Sequence, residues 1–146
     1  MNNLLEIATS FFELEQWSFG KDDKDSVLQM GYQGESSKFL CYMRLIEEPQ
    51  QVVFYSVSPI NVPEEKRDIA AKFLTWCNFG LIIGNFEMDF TDGEIRYKTS
   101  LDVQDAELSQ ALLRRLVYPN VIMIDQYMPK ILALVYGDVT FEQAIS

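Results

Sequence analysis

The chain contains no histidine. That removes the commonest general base, the commonest metal ligand and the imidazole that activates serine and cysteine nucleophiles. Cys41 and Cys77 are the only cysteines, too few for a zinc set, and each stands inside an apolar pattern that reads as a buried free thiol. The glycines of Gly80-Leu81-Ile82-Ile83-Gly84 have no Lys, Ser or Thr at the offset a phosphate loop needs, so neither nucleotide fingerprint is met. Carboxylates are left. Asp89, Asp92 and Glu94 miss the alternation of a calcium loop. Asp125, inside an apolar helical run, reads first as a capping or hydrogen-bonded acid; a small-molecule-binding or carboxylate-based enzyme site around Asp125 and Tyr127 is the alternative. Tyr118, Tyr127 and Tyr136 recur every nine residues and read as core rings with hydroxyls at the rim. No catalytic residue, cofactor or metal site is assigned.

Composition narrows the class further. At 146 residues the chain is read as a single domain over 1–146, able to bury roughly two thirds of its unfolded surface. Hydrophobic residues at 48% and aromatics at 13% argue against disorder. The net charge of −10, with 12 dispersed basic residues, opposes a nucleic-acid partner, because such binding depends on Lys and Arg displacing counterions. Apolar runs fall short of the roughly 20 residues of a spanning helix, and the acidic start MNNLLEIATSFFELEQ is unlike a signal peptide. The expectation is a cytoplasmic protein with no membrane role.

The elements follow from periodicity. Residues 2–16 place Leu4, Ile7, Ala8, Phe11 and Leu14 at helical spacing, with Leu5 and Phe12 widening the stripe. Trp17–Ser26 reads as a linker, its charge run Lys21-Asp22-Asp23-Lys24-Asp25 a solvated tip. The period then becomes two. Strands are expected over Val27–Gln33, Lys38–Glu47 and Gln51–Val57, the last two reversing at Glu47–Gln50 with Ile46 opposite Gln51. Pro59 breaks the sheet over 58–61, and Val62-Pro63-Glu64-Glu65 opens a helix that Gly80 closes. A helix over Ala106–Val117 is interrupted at Tyr118-Pro119; a second runs from Pro119 to Tyr136, kinks at Pro129 and ends at Gly137. The tail 138–146 is expected to be loosely attached.

Leu81–Leu101 reads as a β-hairpin turning at Asp92-Gly93, since a two-residue primed turn needs positive φ at both central positions. This register sets Phe90 opposite Ile95, Asp89 opposite Arg96, Met88 opposite Tyr97 and Glu87 opposite Lys98. Charge pairs share one face and apolar residues the other. The order α-β-β-β-α-β-β-α, with segregated antiparallel strands, describes an α+β fold.

Strands 38–57 are apolar on both sides. Phe39, Cys41, Met43 and Leu45 form one set with Val52 and Phe54; Leu40, Tyr42 and Ile46 form the other with Val53, Tyr55 and Val57. A second apolar side needs a cover, either the first helix, a second copy or a client protein. Leu40, Tyr42, Ile46, Val53, Tyr55 and Val57 are therefore the candidate protein-binding face. A non-catalytic protein-binding module is the leading function, chaperone-like or regulatory, and a structural subunit of a larger assembly is a further alternative.

Val62-Pro63-Glu64-Glu65, Phe86-Glu87-Met88-Asp89, Ile95-Arg96-Tyr97-Lys98-Thr99 and Asp125-Gln126-Tyr127-Met128-Pro129 running to Val135-Tyr136-Gly137 resemble the YbjN-type domain. That bacterial family is grouped by fold with the type III secretion chaperones, and the resemblance spans roughly residues 1–137. It implies a small acidic cytoplasmic protein, often a homodimer, that holds a partner polypeptide against its sheet or helices without catalysis.

Overall fold

Alternation over 27–57 builds the centre of the molecule, and each reversal adds an antiparallel neighbour. The computed structural model describes residues 3–22, 24 and 26–146. Among these the chain runs α1 (Leu4–Leu14), β1 (Phe19–Asp22), β2 (Val27–Gln33), β3 (Lys38–Ile46), β4 (Gln51–Asn61), a 3-10 turn Glu64–Lys66, α2 (Arg67–Asn78), β5 (Asn85–Met88), β6 (Glu94–Asp102), α3 (Gln110–Tyr136) and α4 (Phe141–Ile145). The sheet order is β1-β2-β3-β4-β6-β5, antiparallel throughout. Ile46 sits opposite Gln51 as expected. The α+β class and the helix-strand order hold, with one extra strand near the start and one extra helix at the end.

Period-two patterning separates the two sides of this sheet. Leu28, Met30, Phe39, Cys41, Met43, Leu45, Val52, Phe54, Ile95 and Tyr97 are buried, and the register places them on one face. Against that face lie Leu4, Ala8, Phe11 and Phe12 of α1, Phe73 and Leu74 of α2, and Leu113, Val117, Val121, Ile124 and Met128 of α3. Leu14, read as part of the α1 stripe, is exposed instead. So is Tyr136, which was expected in the core.

Several elements depart from the sequence reading. β1 occupies part of the expected linker: Phe19 pairs with Met30 and rests 6.1 Å from the ring of Phe12. Four residues with a central glycine and a lysine carry no period, which is typical of a short edge strand. Of the charge run, Lys21 and Asp22 belong to β1, and Asp23 and Asp25 lie outside the described residues. β4 continues through Pro59 to Asn61 with a register shift between Val57 and Asn61, the irregularity at which a strand tolerates proline.

The hairpin closes two residues away from the expected register. Phe86 pairs with Tyr97, Glu87 with Arg96 and Met88 with Ile95, and residues 81–84 are loop. The connection is residues 89–93. Asp89 Oδ1 accepts from Thr91 N at 2.8 Å and Thr91 Oγ1 at 2.6 Å, Asp92 Oδ1 accepts from Glu94 N, and Gly93 N donates to Asp89 O. Two side-chain caps thus favour a longer loop over the two-residue turn. Gly93 is still required: its φ is 79°, and the Val62 backbone fills the space a Cβ would take. A shift of two preserves which side chains share a face, so the separation of charge from oil survives. Asp89 holds its own loop rather than Arg96, and Phe90 is exposed.

α3 is one helix containing both Pro119 and Pro129. Tertiary bonds tie it to the sheet beside Pro119 and to the β2–β3 turn one helical turn before Pro129. Asn120, fully buried, takes a hydrogen bond from Ser56 Oγ and donates to Phe54 O and Tyr97 O at 3.0 and 3.1 Å. The tail is not loose. Thr140 and Gln143 form a reciprocal capping box, Ala144 is buried, and Val139, Phe141 and Ile145 pack on the core.

Candidate functional site: the open face of the sheet

Facing away from the helices, alternate residues of β3, β4 and β6 form a lattice fixed by register. Leu40 adjoins Val57, which adjoins Arg96 and then Glu87. Next come Tyr42, Tyr55 and Lys98, then Arg44, Val53 and Ser100, and at the end Ile46, Gln51 and Asp102. All six candidate residues lie on this face. None is buried: Leu40 is 43% exposed and the other five are half-buried. The five apolar or aromatic residues 40, 42, 53, 55 and 57 are contiguous, and Ile46 stands at the margin.

The charges of the hairpin border this strip. The Arg96 guanidinium lies over the Tyr55 ring at 4.1 Å, a cation–π contact. Arg96 Nε reaches Glu87 Oε1 at 2.8 Å and Lys98 Nζ reaches Glu87 Oε2 at 3.0 Å. Burial pushes the Glu87 carboxyl upward, but the bonds from Lys98 and Arg96 outweigh it and hold its pKa below the ordinary value. The sequence reading found the charged hairpin face and the apolar face separately. Their continuity across β4–β6 depends on the pairing of strands 40 residues apart, which local pattern does not contain.

Groups that could perform chemistry are occupied elsewhere. Asp125 accepts from Glu35 N at 2.8 Å, Ser36 N at 2.9 Å and Ser36 Oγ at 2.6 Å, fastening the β2–β3 turn to α3. Desolvation raises its pKa, and these bonds bring it below the usual aspartate range. Gly34 admits this approach, since a Cβ there would overlap the carboxylate. Tyr127 instead meets the Phe86 ring edge-on at 5.6 Å. Cys41 and Cys77 are free and buried; burial raises their thiols to about 12 and about 11, the latter slightly offset by Lys130, so both stay protonated and poorly nucleophilic at neutral pH. Tyr118 donates to Glu15 Oε1 at 2.7 Å and accepts from Trp17 Nε1 at 3.2 Å.

A second apolar area escaped the sequence reading. Phe79 and Ile82, assigned to a helix end and a strand, are 93% and 92% exposed. The available signal was the absence of Asp, Glu, Lys and Arg from 73–86.

This antiparallel sheet, with helices on one side and a bare, partly apolar second side, is an architecture the chain shares with solved structures of the type III secretion chaperone-like fold. The crystal structure of YbjN, "a putative transcription regulator from E. coli", is similar with a TM-score of 0.62 at 14% identity, covering 84% of this chain and 86% of that one. A chain of the ExsC–ExsE complex gives 0.59 at 11% identity, covering 86% and 91%. A chain of the HopA1–SchA chaperone–effector complex gives 0.51 at 12%, covering 86% and 95%. At these identities the likeness is one of fold. No curated protein matches the sequence. The YbjN family profile, described as "Putative bacterial sensory transduction regulator", matches residues 6–133, and the chain belongs to this family.

Proposed function

We propose that this chain is a non-catalytic protein-binding module of the bacterial cytoplasm, a single homodimeric domain that is chaperone-like or regulatory. It holds a partner polypeptide against the open sheet face, through Leu40, Tyr42, Val53, Tyr55 and Val57 with Ile46 at the margin. The carrying observation is that this strip is uncovered although the opposite face is sealed by three helices. A contiguous exposed apolar patch rimmed by charge is the usual mark of a protein contact. Two similar structures support the reading, one being a chaperone–effector complex and the other the ExsC–ExsE complex. The net charge of −10 speaks against nucleic acid. Among the described residues no helix is long and apolar enough to cross a membrane.

The test is affinity capture from the native host with the wild type and with Tyr42→Asp and Tyr55→Asp, each checked for an unchanged thermal transition. A partner retained by the wild type and lost by both folded variants is the expected result. Equal retention by all three would refute the assignment of this face.

A further inference from the structure

Every charged residue that adjoins the apolar strip of the open face in the strand register is basic. Lys38 and Arg44 flank Leu40 and Tyr42 along β3, Lys98 stands beside Tyr55, and Arg96 stands beside Val57. The cross-strand neighbours Gln29, Gly31 and Ser100 are uncharged. Lys38 leans across this face, with its Cε 3.6 Å from where a Cβ on Gly31 would stand. In a chain with 12 basic and 22 acidic residues, four cations around one strip run against the overall balance. The acids on this side of the sheet lie farther out. Asp22 is on the edge strand, Glu94 and Asp102 are at the two ends of β6, and Glu87 is on β5 beyond Arg96. Glu87 serves Arg96 and Lys98 together at 2.8 and 3.0 Å. Among the described residues, Lys38 and Arg44 are exposed and have no ion-pair partner.

We propose that the polypeptide segment held by this face is acidic, an amphipathic stretch that lays apolar side chains over Tyr42, Val53 and Tyr55 and sets Asp or Glu carboxylates against Lys38, Arg44 and Lys98. The inference rests on the open face being the protein-binding surface and adds the chemistry of its occupant. Charges grouped by sign around an apolar contact choose the partner and steer its approach more than they add affinity. A seat for a carboxylate is already visible, since Glu87 takes one between Arg96 and Lys98. Beside it a shallow hollow opens between Val53, Tyr55, Lys98 and Ser100. Asp102, at its end, is engaged by Gln51 Nε2 at 3.0 Å and Gln104 N at 2.9 Å. A nucleic-acid strand fits less well: backbone binding grows with the number of phosphates neutralised, and four cations in a chain of net charge −10 offer little of that. Carboxylates interspersed with apolar side chains match the alternation of cation and oil.

Selection from a displayed library of random peptides tests the sign of the charge. The wild type, Tyr42→Asp, Tyr55→Asp and the double variant Lys38→Glu/Arg44→Glu serve as baits, each checked for an unchanged thermal transition. The wild type is expected to enrich acidic peptides with apolar or aromatic residues, although its own net charge would repel them. The strongest of these, synthesised, should bind the double variant about tenfold more weakly and lose affinity for the wild type as salt rises. Neutral or basic peptides enriched by the wild type, or an acidic set held equally by the double variant, overturn the inference. If Tyr42→Asp and Tyr55→Asp release those peptides, the face survives as a binding surface without this preference. Failure to enrich any peptide that the two tyrosine variants release would remove the face itself. Tighter binding of oligothymidylate than of the selected peptide would assign the cations to phosphate and likewise overturn the inference.

Discussion

The Ser36 hydroxyl lies 2.9 Å from the backbone carbonyl of Asp125 and 2.6 Å from its carboxylate and shares its one proton between them; that carbonyl is the one Pro129, four residues further along α3, has no N–H to serve. The same serine and its neighbour Glu35 bind the Asp125 carboxylate through backbone N–H groups. One turn of the sheet thus both repairs the helix and docks on it.

Ser36→Ala is expected to lower stability by roughly 1–2 kcal/mol, the cost of leaving such a group unserved. In a Pro129→Ala background the loss should shrink, because residue 129 then supplies the missing donor. Urea titration of the four proteins of this cycle measures the coupling; a cost independent of residue 129 would contradict the repair.

Asp125 also sets a pH dependence. Its folded pKa lies below the ordinary aspartate value of 3.8, so the unfolded chain binds more protons in acid. The associated stability is present above that value and lost as the pH falls through the folded pKa. Asp125→Asn should therefore lower the urea midpoint at neutral pH and flatten its decline in acid. An acid limb as steep as the wild type's would show that this carboxylate contributes nothing to it.

Asn120→Ala removes the buried side chain that serves Phe54 O, Tyr97 O, Thr99 Oγ1 and Ser56 Oγ together. The expected loss is roughly 1–3 kcal/mol, with faster hydrogen exchange at 54–56 and 97–99. A shift confined to α3 would show that the network does not tie helix to sheet.

Both thiols should resist aromatic disulfide reagents in the folded protein and react at once in denaturant, given their burial and raised pKa values. Prompt native-state reaction of either would mean that its surroundings open readily.

Much of this architecture is legible in the residues. Alternation over 38–57 settles the β3–β4 register and the two apolar faces, because each strand is long enough for period two to show. Val62-Pro63-Glu64-Glu65 marks the entry to α2, although a 3-10 turn precedes the helix. What stays hidden is set by distant partners. Ser36 serves the carbonyl that Pro129 leaves without a donor, and Asn120 ties α3 to the sheet beside Pro119, at prolines that read locally as a kink and a break; the caps of Asp89 and Asp92 lengthen a turn that Asp92-Gly93 alone would make tight. Phe19 becomes a strand residue only because Met30 and Phe12 receive it. The six residues of the open face share one side of the sheet, as period two alone predicts; the charged border from Arg96, Lys98 and Glu87 needs the β4–β6 pairing.

Site-specific photocrosslinking in the living host tests the open face most directly. A benzophenone side chain at position 55 is compared with one at position 122, where Ile122 is exposed on α3. A discrete adduct between this chain and a partner polypeptide at 55, absent at 122, is the expected result. Adducts at 122 with none at 55 would place the contact on the helices and contradict a sheet-face binding module.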